Sequence, residues 1–288
     1  GHVAGVSAGG DEITAEVTIL ADGVNSLLTE QAKLATKPQP HQLAVSVKET
    51  ISLPAQVISD RFRAADDEGT AWLFAGAATQ GHAGGGFLYT NRESISIGLS
   101  DLCTSQVPIY QMMEDFKGHP AVAPLLAGGK LVEYSGHLIP EGGFNMVPTL
   151  YADGCLATGD AAMLCINLGY QVRGMDYAVA SGSLAAEAAL EALEAGDVSA
   201  AKLAGYQAKL ENSFVLQDLK AYQDFPAFME GTKRMYDDYP AMLADMMRGL
   251  FVVDGSLVQP VRKKMMAPVK RVGLMNVLKD VRRGVKAL

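Results

Sequence analysis

The sequence feature that most constrains the fold is a short apolar strand, residues 155–158, that runs directly into the turn Gly159-Asp160-Ala161-Ala162. A glycine at this point lets the backbone come close to a ligand. The carboxylate of Asp160 can accept hydrogen bonds from sugar hydroxyls, and the two small alanines keep the entrance to the turn open. Taken alone, the segment suggests a ligand site at the end of a buried strand but does not decide it.

A second strand with an acidic turn lies near the start of the chain. Residues 18–21 are apolar and lead into Asp22-Gly23, which is how a buried strand of a parallel sheet ends. Ligands of α/β sheets bind at the carboxyl ends of such strands. We predict that Asn25 and Ser26 cap a following helix that runs to about Lys33. The alternative is an ordinary strand–helix turn, since Asp-Gly turns are common.

A third segment, residues 167–176, is a glycine-punctuated loop that feeds into a long alanine-rich helix, predicted over residues 175–195. The N-terminus of a helix presents free N–H groups and partial positive charge, so it can hold an anion. Gly174 could instead be a plain helix-start glycine, and Asp176 an acid that favours the first turn. That interpretation suits either residue but is weak for the whole loop.

Composition and charge narrow the functional classes. A chain of 288 residues with 49% hydrophobic and 19% charged residues can bury a substantial core. The net charge of −8 makes nucleic acid an unsuitable partner. Three dispersed cysteines indicate neither a disulfide framework nor an iron–sulfur cluster held by this chain alone, and indicate reduced thiols in a cytoplasmic protein. We expect no bound metal, because the five histidines form no ligand pattern, and no hydrolase chemistry, because no G-x-S-x-G segment occurs.

The order of predicted elements indicates a mixed α/β fold with four regions. Residues 1–40 and 141–198 carry the strand–turn–helix segments. Residues 41–140 are rich in short strands separated by turn signals, which predicts an inserted antiparallel lobe, with a helix over 106–126 that breaks at His119-Pro120. Residues 199–288 are helical, with breaks at Pro226, Pro240 and Pro260.

The last 28 residues have an unusual charge pattern. Residues 261–288 contain nine Lys or Arg and the single acid Asp280. One helical face is apolar, through Leu274, Leu278, Val281, Val285 and Leu288. Three interpretations stay open: the helix lies on an anionic membrane, docks a partner subunit, or packs on its own domain with a solvated basic face.

These segments together resemble the FAD-binding fold shared by p-hydroxybenzoate hydroxylase, geranylgeranyl reductases and the electron-transfer flavoprotein–quinone oxidoreductases. Residues 21–26 (A-D-G-V-N-S) match an A-D-G-x-x-S segment, and residues 159–162 match G-D-A-A. The hydroxylases usually have a His after G-D-A-A and a G-Q-G-M-N helix start, where this chain has Met163 and V-R-G-M-D. The run N-x-G-Y-x-V-R-G-M-D, residues 167–176, resembles FixC and its quinone oxidoreductase relatives.

The resemblance implies FAD as the cofactor, and a protein whose role is to position the flavin and tune its potential, with no residue acting as a catalyst itself. Tyr170 and Arg173 are expected to shape the pocket at one face of the flavin ring, although they could also be a core tyrosine and a surface arginine. The expected cofactor-binding residues are Asp22, Gly23, Gly159, Asp160, Ala161, Asn167, Gly169, Tyr170, Arg173, Gly174, Met175 and Asp176.

The resemblance also implies partners. An electron-transfer flavoprotein would supply electrons, a quinone would receive them, and a separate ferredoxin-like iron–sulfur subunit would assist, with peripheral membrane contact through residues 261–288. Two departures from the pattern bear on this expectation. The strand–G-x-G-x-x-G–helix unit that grips the FAD pyrophosphate is expected upstream of residue 1, so the chain looks like a fragment, and no cysteine-rich cluster domain ends it. The alternatives are a reductase or monooxygenase acting directly on an organic substrate, in the manner of geranylgeranyl reductases, or a fragment unable to hold FAD.

Overall fold

A computed structural model describes residues 1–65, 68–169 and 171–288 of the chain. It has the predicted mixed α/β character and divides into two compact units. The first comprises Gly1–Leu43 and Leu138–Pro226, and the second comprises Ala44–His137 and Ala227–Leu288. The helical residues that follow position 199 therefore belong to both units. Among the described residues, none of the helices combines the length and the apolar character needed to span a bilayer.

The regular elements are named in chain order. The strands are β1 (Gly5–Ala8), β2 (Asp11–Thr14), β3 (Thr18–Leu20), β4 (Leu43–Ser52), β5 (Ala71–Phe74), β6 (Gly84–Thr90), β7 (Ser94–Leu102), β8 (Lys130–Pro140), β9 (Tyr151–Ala152), β10 (Cys155–Ala157), β11 (Ile166–Asn167) and β12 (Val172–Arg173). The α-helices are α1 (Leu27–Gln31), α2 (Ala55–Phe62), α3 (Ile109–Gly118), α4 (Ala123–Leu126), α5 (Met175–Glu194), α6 (Ala200–Leu203), α7 (Gly205–Glu211), α8 (Phe214–Ala221), α9 (Phe225–Glu230), α10 (Asp238–Phe251), α11 (Val261–Val272) and α12 (Leu274–Ala287). Short 3₁₀ turns occupy Pro40–Gln42, Ala77–Thr79, Gly143–Met146, Gly159–Ala162 and Lys233–Met235.

The first unit is built around a small sheet in the order β3-β10-β9. Strand β10 pairs parallel with β3 and antiparallel with β9, and its three residues are completely buried, as are Tyr177 and Tyr206 on the neighbouring helices. The parallel pair confirms the predicted strands at residues 18–21 and 155–158, and α5 confirms the predicted long helix. Only β10 is buried throughout, because Ile19 of β3 is 39% exposed and Leu20 alone of that strand is buried, so the predicted burial of the first strand is wrong in part. Two further two-stranded ribbons, β1-β2 and β11-β12, complete the unit.

The second unit contains the predicted strand-rich lobe, a five-stranded sheet in the order β5-β6-β7-β4-β8. Strands β4, β5, β6 and β7 pair antiparallel in that sheet. Alternate residues Ile95, Ile97 and Leu99 of β7 are fully buried and pack in one cluster with Met112 and Phe116 of α3. The large apolar side chains of β7 therefore share one face of the sheet, while Ser96 and Gly98 between them are also buried, so both faces of this strand are covered. The predicted helix break at His119-Pro120 is confirmed, because α3 ends at Gly118 and α4 starts at Ala123.

The three prolines predicted to break the helical region lie at helix starts rather than between helices, whereas Pro268 lies inside α11. Pro226 is the second residue of α9, Pro240 is the third residue of α10, and Pro260 is the N-cap of α11. A first-turn proline loses nothing by lacking an N–H, since the N–H groups of that turn have no partner within the helix. The predicted breaks therefore mark where the helices begin, to within two residues.

Candidate functional site

The parallel pairing of β3 and β10 brings two of the sequence-predicted segments to one edge of the sheet. Leu20 is in register with Ala157, and the Thr158 N–H donates to the Leu20 carbonyl at 3.0 Å. The Asp22-Gly23 turn and the Gly159–Ala162 turn therefore leave neighbouring strands at their carboxyl ends. This is the position where α/β sheets bind ligands.

Ser26 joins the two turns. Its hydroxyl donates to the carbonyl of Ala161 at 3.1 Å, and to carbonyls of its own turn, and its side chain is almost completely buried. Ser26 occupies the N-cap position of α1 in the left-handed conformation, with φ of 49°, but its side chain makes no cap hydrogen bond. The prediction that Ser26 acts as the capping side chain is therefore wrong.

The capping side chain at α1 is Asp22. Its Oδ2 accepts the Leu28 N–H at 2.9 Å, which places a carboxylate at the positive end of the helix. The helix ends at Gln31, and Lys33 has φ of 61°, so the predicted extension to Lys33 is also wrong. Gly23 has φ of 78°, a conformation that favours glycine, and open space surrounds its α-carbon. A role of Asp22 and Gly23 toward a cofactor stays a prediction.

The Gly159–Ala162 turn is held against the long helix α5. Gly159 has φ of +59°, and a Cβ at this position would lie 3.3 Å from the Cβ of Ala178. The buried Ser181 hydroxyl accepts the Gly159 N–H at 3.1 Å and bonds the Thr158 hydroxyl at 2.7 Å. The turn and the first half of α5 therefore form one packed element. Ala161 and Ala162 are fully buried within it, so their small side chains serve packing rather than an open entrance.

Strands β11 (Ile166–Asn167) and β12 (Val172–Arg173) form the two-stranded ribbon that leads into α5. Asn167 pairs with Val172, and the Asn167 Oδ1 accepts the N–H of Gly169 at 2.8 Å, which fixes the turn through a side chain. Gly169 has φ of 79°. The predicted site residue Tyr170 lies outside the described residues. The loop expected from the sequence is thus a hairpin whose tip is tied by its own asparagine.

The start of α5 lies beside the Asp160 turn. The first hydrogen bond of the helix runs from the Ala178 N–H to the Gly174 carbonyl at 2.8 Å, so the N–H groups of residues 175–177 precede the helical ladder. A Cβ on Gly174 would lie 3.4 Å from the Cys165 Sγ and 3.8 Å from an Asp160 carboxylate oxygen. Met175 is 88% exposed. Asp160, Gly174 and the N-terminus of α5 are therefore neighbours, although they come from two separate segments of the sequence.

Arg173 is engaged by acids of two helices. Its guanidinium donates to Asp176 at 2.7 Å and to Asp218 of α8, and it lies over the rings of Tyr177 and Phe214, at 4.6 and 5.4 Å from their centroids. The Tyr177 hydroxyl also donates to Asp218, at 3.2 Å. These contacts fix the end of the hairpin on α8. Burial, followed by the charge of Asp218, raises the pKa of Tyr177 against the opposing effect of Arg173. Contact of Arg173 with a flavin ring stays a prediction.

Glu141 joins the site although no sequence pattern pointed to it. Its carboxylate accepts from the Asn167 Nδ2 at 3.1 and 3.4 Å. Burial raises its pKa to about 7, against the smaller, opposing effect of the Asn167 hydrogen bond. Asp218 and Ser181 were likewise not identified from the sequence. Each is a single polar residue, remote in sequence from the motif it contacts, so only the fold brings it to the site.

Comparison with known proteins identifies relatives that belong to one family. Residues 225–288 match the ETF-QO/FixC family C-terminal domain. The chain is 49% identical over 290 residues to the "Probable electron transfer flavoprotein-quinone oxidoreductase YdiS" of Escherichia coli (strain K12), covering 99% of this chain and 67% of that protein. It is also 49% identical over 292 residues to "Protein FixC" of the same strain, covering 100% of this chain and 68% of that protein. The chain thus spans about two thirds of the length of these relatives.

A solved structure has a similar fold. The crystal structure of a geranylgeranyl bacteriochlorophyll reductase-like protein from Thermoplasma acidophilum superimposes with a TM-score of 0.67, over 98% of this chain and 66% of that chain. The identity is 17%, so the likeness concerns the fold alone.

The raised pKa of Glu141 predicts how stability depends on pH. Between about pH 4.5 and 7 the folded chain retains a proton that the unfolded chain has lost, so stability falls as pH rises through this window. Glu141→Gln does not titrate and can still accept from Asn167. On going from about pH 5 to pH 8, we expect the free energy of unfolding of the variant to rise by roughly 2–3 kcal/mol relative to that of wild type.

Urea unfolding at both pH values measures this gain. The matched control is Glu194→Gln, which changes an exposed glutamate in the last turn of α5. If the free energies of unfolding of Glu141→Gln and wild type differ by the same amount at both pH values, the raised pKa of Glu141 is contradicted.

Proposed function

The chain belongs to the ETF-QO/FixC family of oxidoreductases, and on this basis we propose that it binds FAD and passes electrons from an electron-transfer flavoprotein to a quinone. The observation that carries the proposal is the convergence of three segments in the first unit. The Asp22 turn, the Gly159-Asp160 turn and the N-terminus of α5 lie together, as the family resemblance expects for an FAD site.

The local geometry fits a dinucleotide cofactor. A Cβ on Gly174 would lie 3.8 Å from an Asp160 carboxylate oxygen, and a Cβ on Gly159 would lie 3.3 Å from Ala178, so both glycines allow close approaches that a side chain would hinder. Asp160 would accept hydrogen bonds from the sugar-like part of FAD. The free N–H groups at the start of α5 would face the anionic part of the ring system. Bound FAD would supply a carrier of two electrons.

The hairpin would set the position of the flavin ring. Asn167 and Gly169 form its tied tip, and Arg173 fixes its end to α8 through Asp218. A ring placed against this hairpin would meet a surface held by the side-chain hydrogen bonds of Asn167 and Arg173. The contribution of these residues is orientation and electrostatics, since no group in the cluster needs to act as an acid or base in a transfer of electrons alone.

The electron donor and the electron acceptor are proposed from the name of a relative, "electron transfer flavoprotein-quinone oxidoreductase". A separate ferredoxin-like iron–sulfur subunit is proposed to take part. Its support is the scattered placement of Cys103, Cys155 and Cys165, all free thiols in this chain. Burial raises the pKa of Cys155 to about 11, so this thiol is not poised to ligate a cluster.

We also propose that α12 contacts an anionic membrane surface, so that a cytoplasmic protein reaches a lipid-soluble quinone. The apolar face expected from the sequence points outward: Leu278 is 54% exposed, Val281 57% and Val285 72%. The residues turned inward are Asp280, Gly284 and Ala287. A helix packed for its own apolar burial would have the opposite orientation.

The inner face of α12 is fixed by polar contacts. Asp280, 2% exposed, accepts from Arg234 at 2.7 and 3.2 Å and from the Tyr239 hydroxyl at 2.7 Å. A Cβ at Gly284 would lie 3.0 Å from the ring of Phe228, so only glycine allows this approach. The nine cations of residues 261–288 suit anionic headgroups, at about 1 kcal/mol for each one near the surface.

The FAD site is tested with Gly159→Ala. The new methyl group meets Ala178 and forces a positive φ on a residue with a side chain, so the turn must shift. We expect at least a tenfold weaker affinity for FAD, measured by equilibrium dialysis and by the oxidised-flavin absorption bands. The measurement is made on this chain and on a longer polypeptide that carries the upstream unit expected from the resemblance.

The control for this variant is Gly182→Ala, on α5, where an added Cβ meets nothing within 4 Å. It should bind FAD as wild type does. A colourless, well-folded wild-type protein in both lengths would refute FAD binding and leave the fragment interpretation. Circular dichroism separates loss of cofactor from loss of fold in Gly159→Ala.

Electron transfer is tested by reoxidation of the reduced flavin. We expect flavin-replete protein, reduced through its cognate flavoprotein, to be reoxidised by a soluble quinone analogue. No reoxidation by quinone would overturn the proposed reaction. Substrate-dependent turnover with NAD(P)H alone would instead indicate direct reduction or hydroxylation of an organic substrate.

The membrane contact is tested by co-sedimentation with lipid vesicles. Leu278→Ser combined with Val285→Ser removes exposed apolar surface from α12 without touching its anchored face. We expect binding to anionic vesicles to fall by roughly tenfold or more, since burial of each side chain in lipid contributes about 1.5–3 kcal/mol. Binding should also weaken as salt is added.

The control is Leu190→Ser, an exposed leucine of α5 in the first unit, which should bind vesicles as wild type does. Equal binding by the double variant and wild type would exclude α12 as the contact. Binding only to a purified partner subunit, and not to vesicles, would favour the docking interpretation.

A further inference from the structure

Glu141 lies where the second segment of the first unit begins, directly after β8. Its backbone N–H donates to the carbonyl of Gln42 at 2.8 Å, which fixes the residue from the main chain. Both oxygens of its carboxylate accept from the Asn167 Nδ2, Oε2 at 3.1 Å and Oε1 at 3.4 Å. The position of the carboxyl is therefore set from two sides.

Asn167 connects Glu141 to the hairpin proposed to hold the flavin ring. The amide nitrogen donates to Glu141, while the amide oxygen accepts the Gly169 N–H at 2.8 Å. A change in the charge of a flavin ring at this hairpin would therefore change the electrostatic potential at the Glu141 carboxyl, because the Asn167 amide between them is polarised. A low local dielectric strengthens this kind of coupling.

The carboxylate of Glu141 is bonded to an uncharged amide rather than to a cation. The neighbouring Cys165 is buried, and burial together with Glu141, Asp160 and Asp176 raises the pKa of its thiol, so it stays uncharged. Asp160 on the Gly159–Ala162 turn and Asp176 on α5 add negative charge to the same cluster. Arg173, the cation of the hairpin, is already paired with Asp176 and Asp218.

The partner of the partly buried Glu141 carboxylate is the uncharged amide of Asn167, and burial raises the pKa of this carboxyl to about 7. Further negative charge nearby would raise that pKa again. Glu141 would thus be partly ionised at neutral pH with an oxidised cofactor and protonated with a reduced one. Because the carboxyl bonds Asn167 rather than the cofactor itself, it acts as a charge-compensating, positioning residue.

We propose that Glu141 holds a redox-linked proton: it takes up one proton from solvent when the bound flavin is reduced, and releases that proton when the flavin is reoxidised. The inference rests on the proposed function, since it needs the flavin at the Asn167 hairpin. The electrons come from a reduced flavoprotein and leave to a quinone. The ring takes two electrons and one proton, and the carboxylate of Glu141 takes a second proton to become the neutral acid.

The experiment compares wild type, Glu141→Gln and Glu194→Gln in their flavin-replete forms. Each is reduced with the same amount of dithionite per flavin at about pH 7 in weak buffer containing an indicator dye. Protons taken up per flavin are compared between the proteins, so that the protons released by the oxidised dithionite cancel. Wild type and Glu194→Gln should take up more protons than Glu141→Gln, by up to one per flavin. The flavin midpoint potential should depend less steeply on pH in Glu141→Gln over the same range.

Infrared difference spectra identify the proton directly. Reduced-minus-oxidised spectra of wild type should show a protonated-carboxyl band that Glu141→Gln lacks. Equal proton uptake and an unchanged band in the variant would overturn the inference while the proposed flavin binding stands. Failure of wild type to bind flavin would instead refute the proposed function.

A second measurement tests the inference even if Glu141→Gln does not retain its flavin. Flavin-free wild type is titrated by infrared spectroscopy, with flavin-free Glu141→Gln subtracted. A Glu141 carboxyl that is protonated at about pH 6 and ionised at about pH 8 is expected. A carboxyl already ionised at about pH 6 would overturn the inference without any use of the cofactor.

Discussion

The parallel pairing of β3 with β10 is the constraint on which the first unit depends. Leu20 and Ala157 are in register although 137 residues separate them, and a single hydrogen bond from Thr158 to Leu20 extends the pairing to the strand ends. Parallel strands need a long connection, and the whole strand-rich lobe lies within that connection. The two turns share one edge because their strands run in the same direction. The bond from Ser26 to Ala161 then holds them together beyond the last strand residue.

The helix α5 depends in turn on this edge. The hydroxyl of Ser181 is buried and bonds Thr158, the N–H of Gly159 and the carbonyl of Ala178, so its hydrogen-bonding capacity is used within the junction. A buried hydroxyl without partners would cost about 1–3 kcal/mol, and here it locks a helix to a turn instead. The N-terminus of α5 is thereby placed at the same edge as the Asp160 turn. The contacts of Ser181, in the second turn of α5, therefore determine where the N-terminus of the helix lies.

Local signals made the elements of the site predictable, while tertiary contacts decided its remaining members. The strand and turn at residues 155–162 and the helix start at Gly174 have glycine and apolar signals within a few residues, and the structure has them where expected. Glu141 carries no such signal, because its role arises from a contact across 26 residues with Asn167. The capping prediction at α1 failed for a related reason. Both Asp22 and Ser26 are good capping residues, and the carbonyl of Ala161 engaged the serine from outside the local sequence.

The orientation of α12 shows a similar limit in the second unit. A pattern of period 3.6 identifies an apolar face, but the partners available to the other face decide which one turns inward. Burying the carboxylate of Asp280 requires compensation, and Arg234 with Tyr239 provides three hydrogen bonds, which lower the pKa of Asp280 chiefly through Arg234. This ionic anchor leaves Leu278 and its apolar neighbours in water, where exposed apolar surface costs about 25 cal/mol per Å². Exposed apolar side chains on α12 would be stabilised where they can enter the apolar part of a lipid bilayer. The cations on the same helix would at the same time contact anionic headgroups.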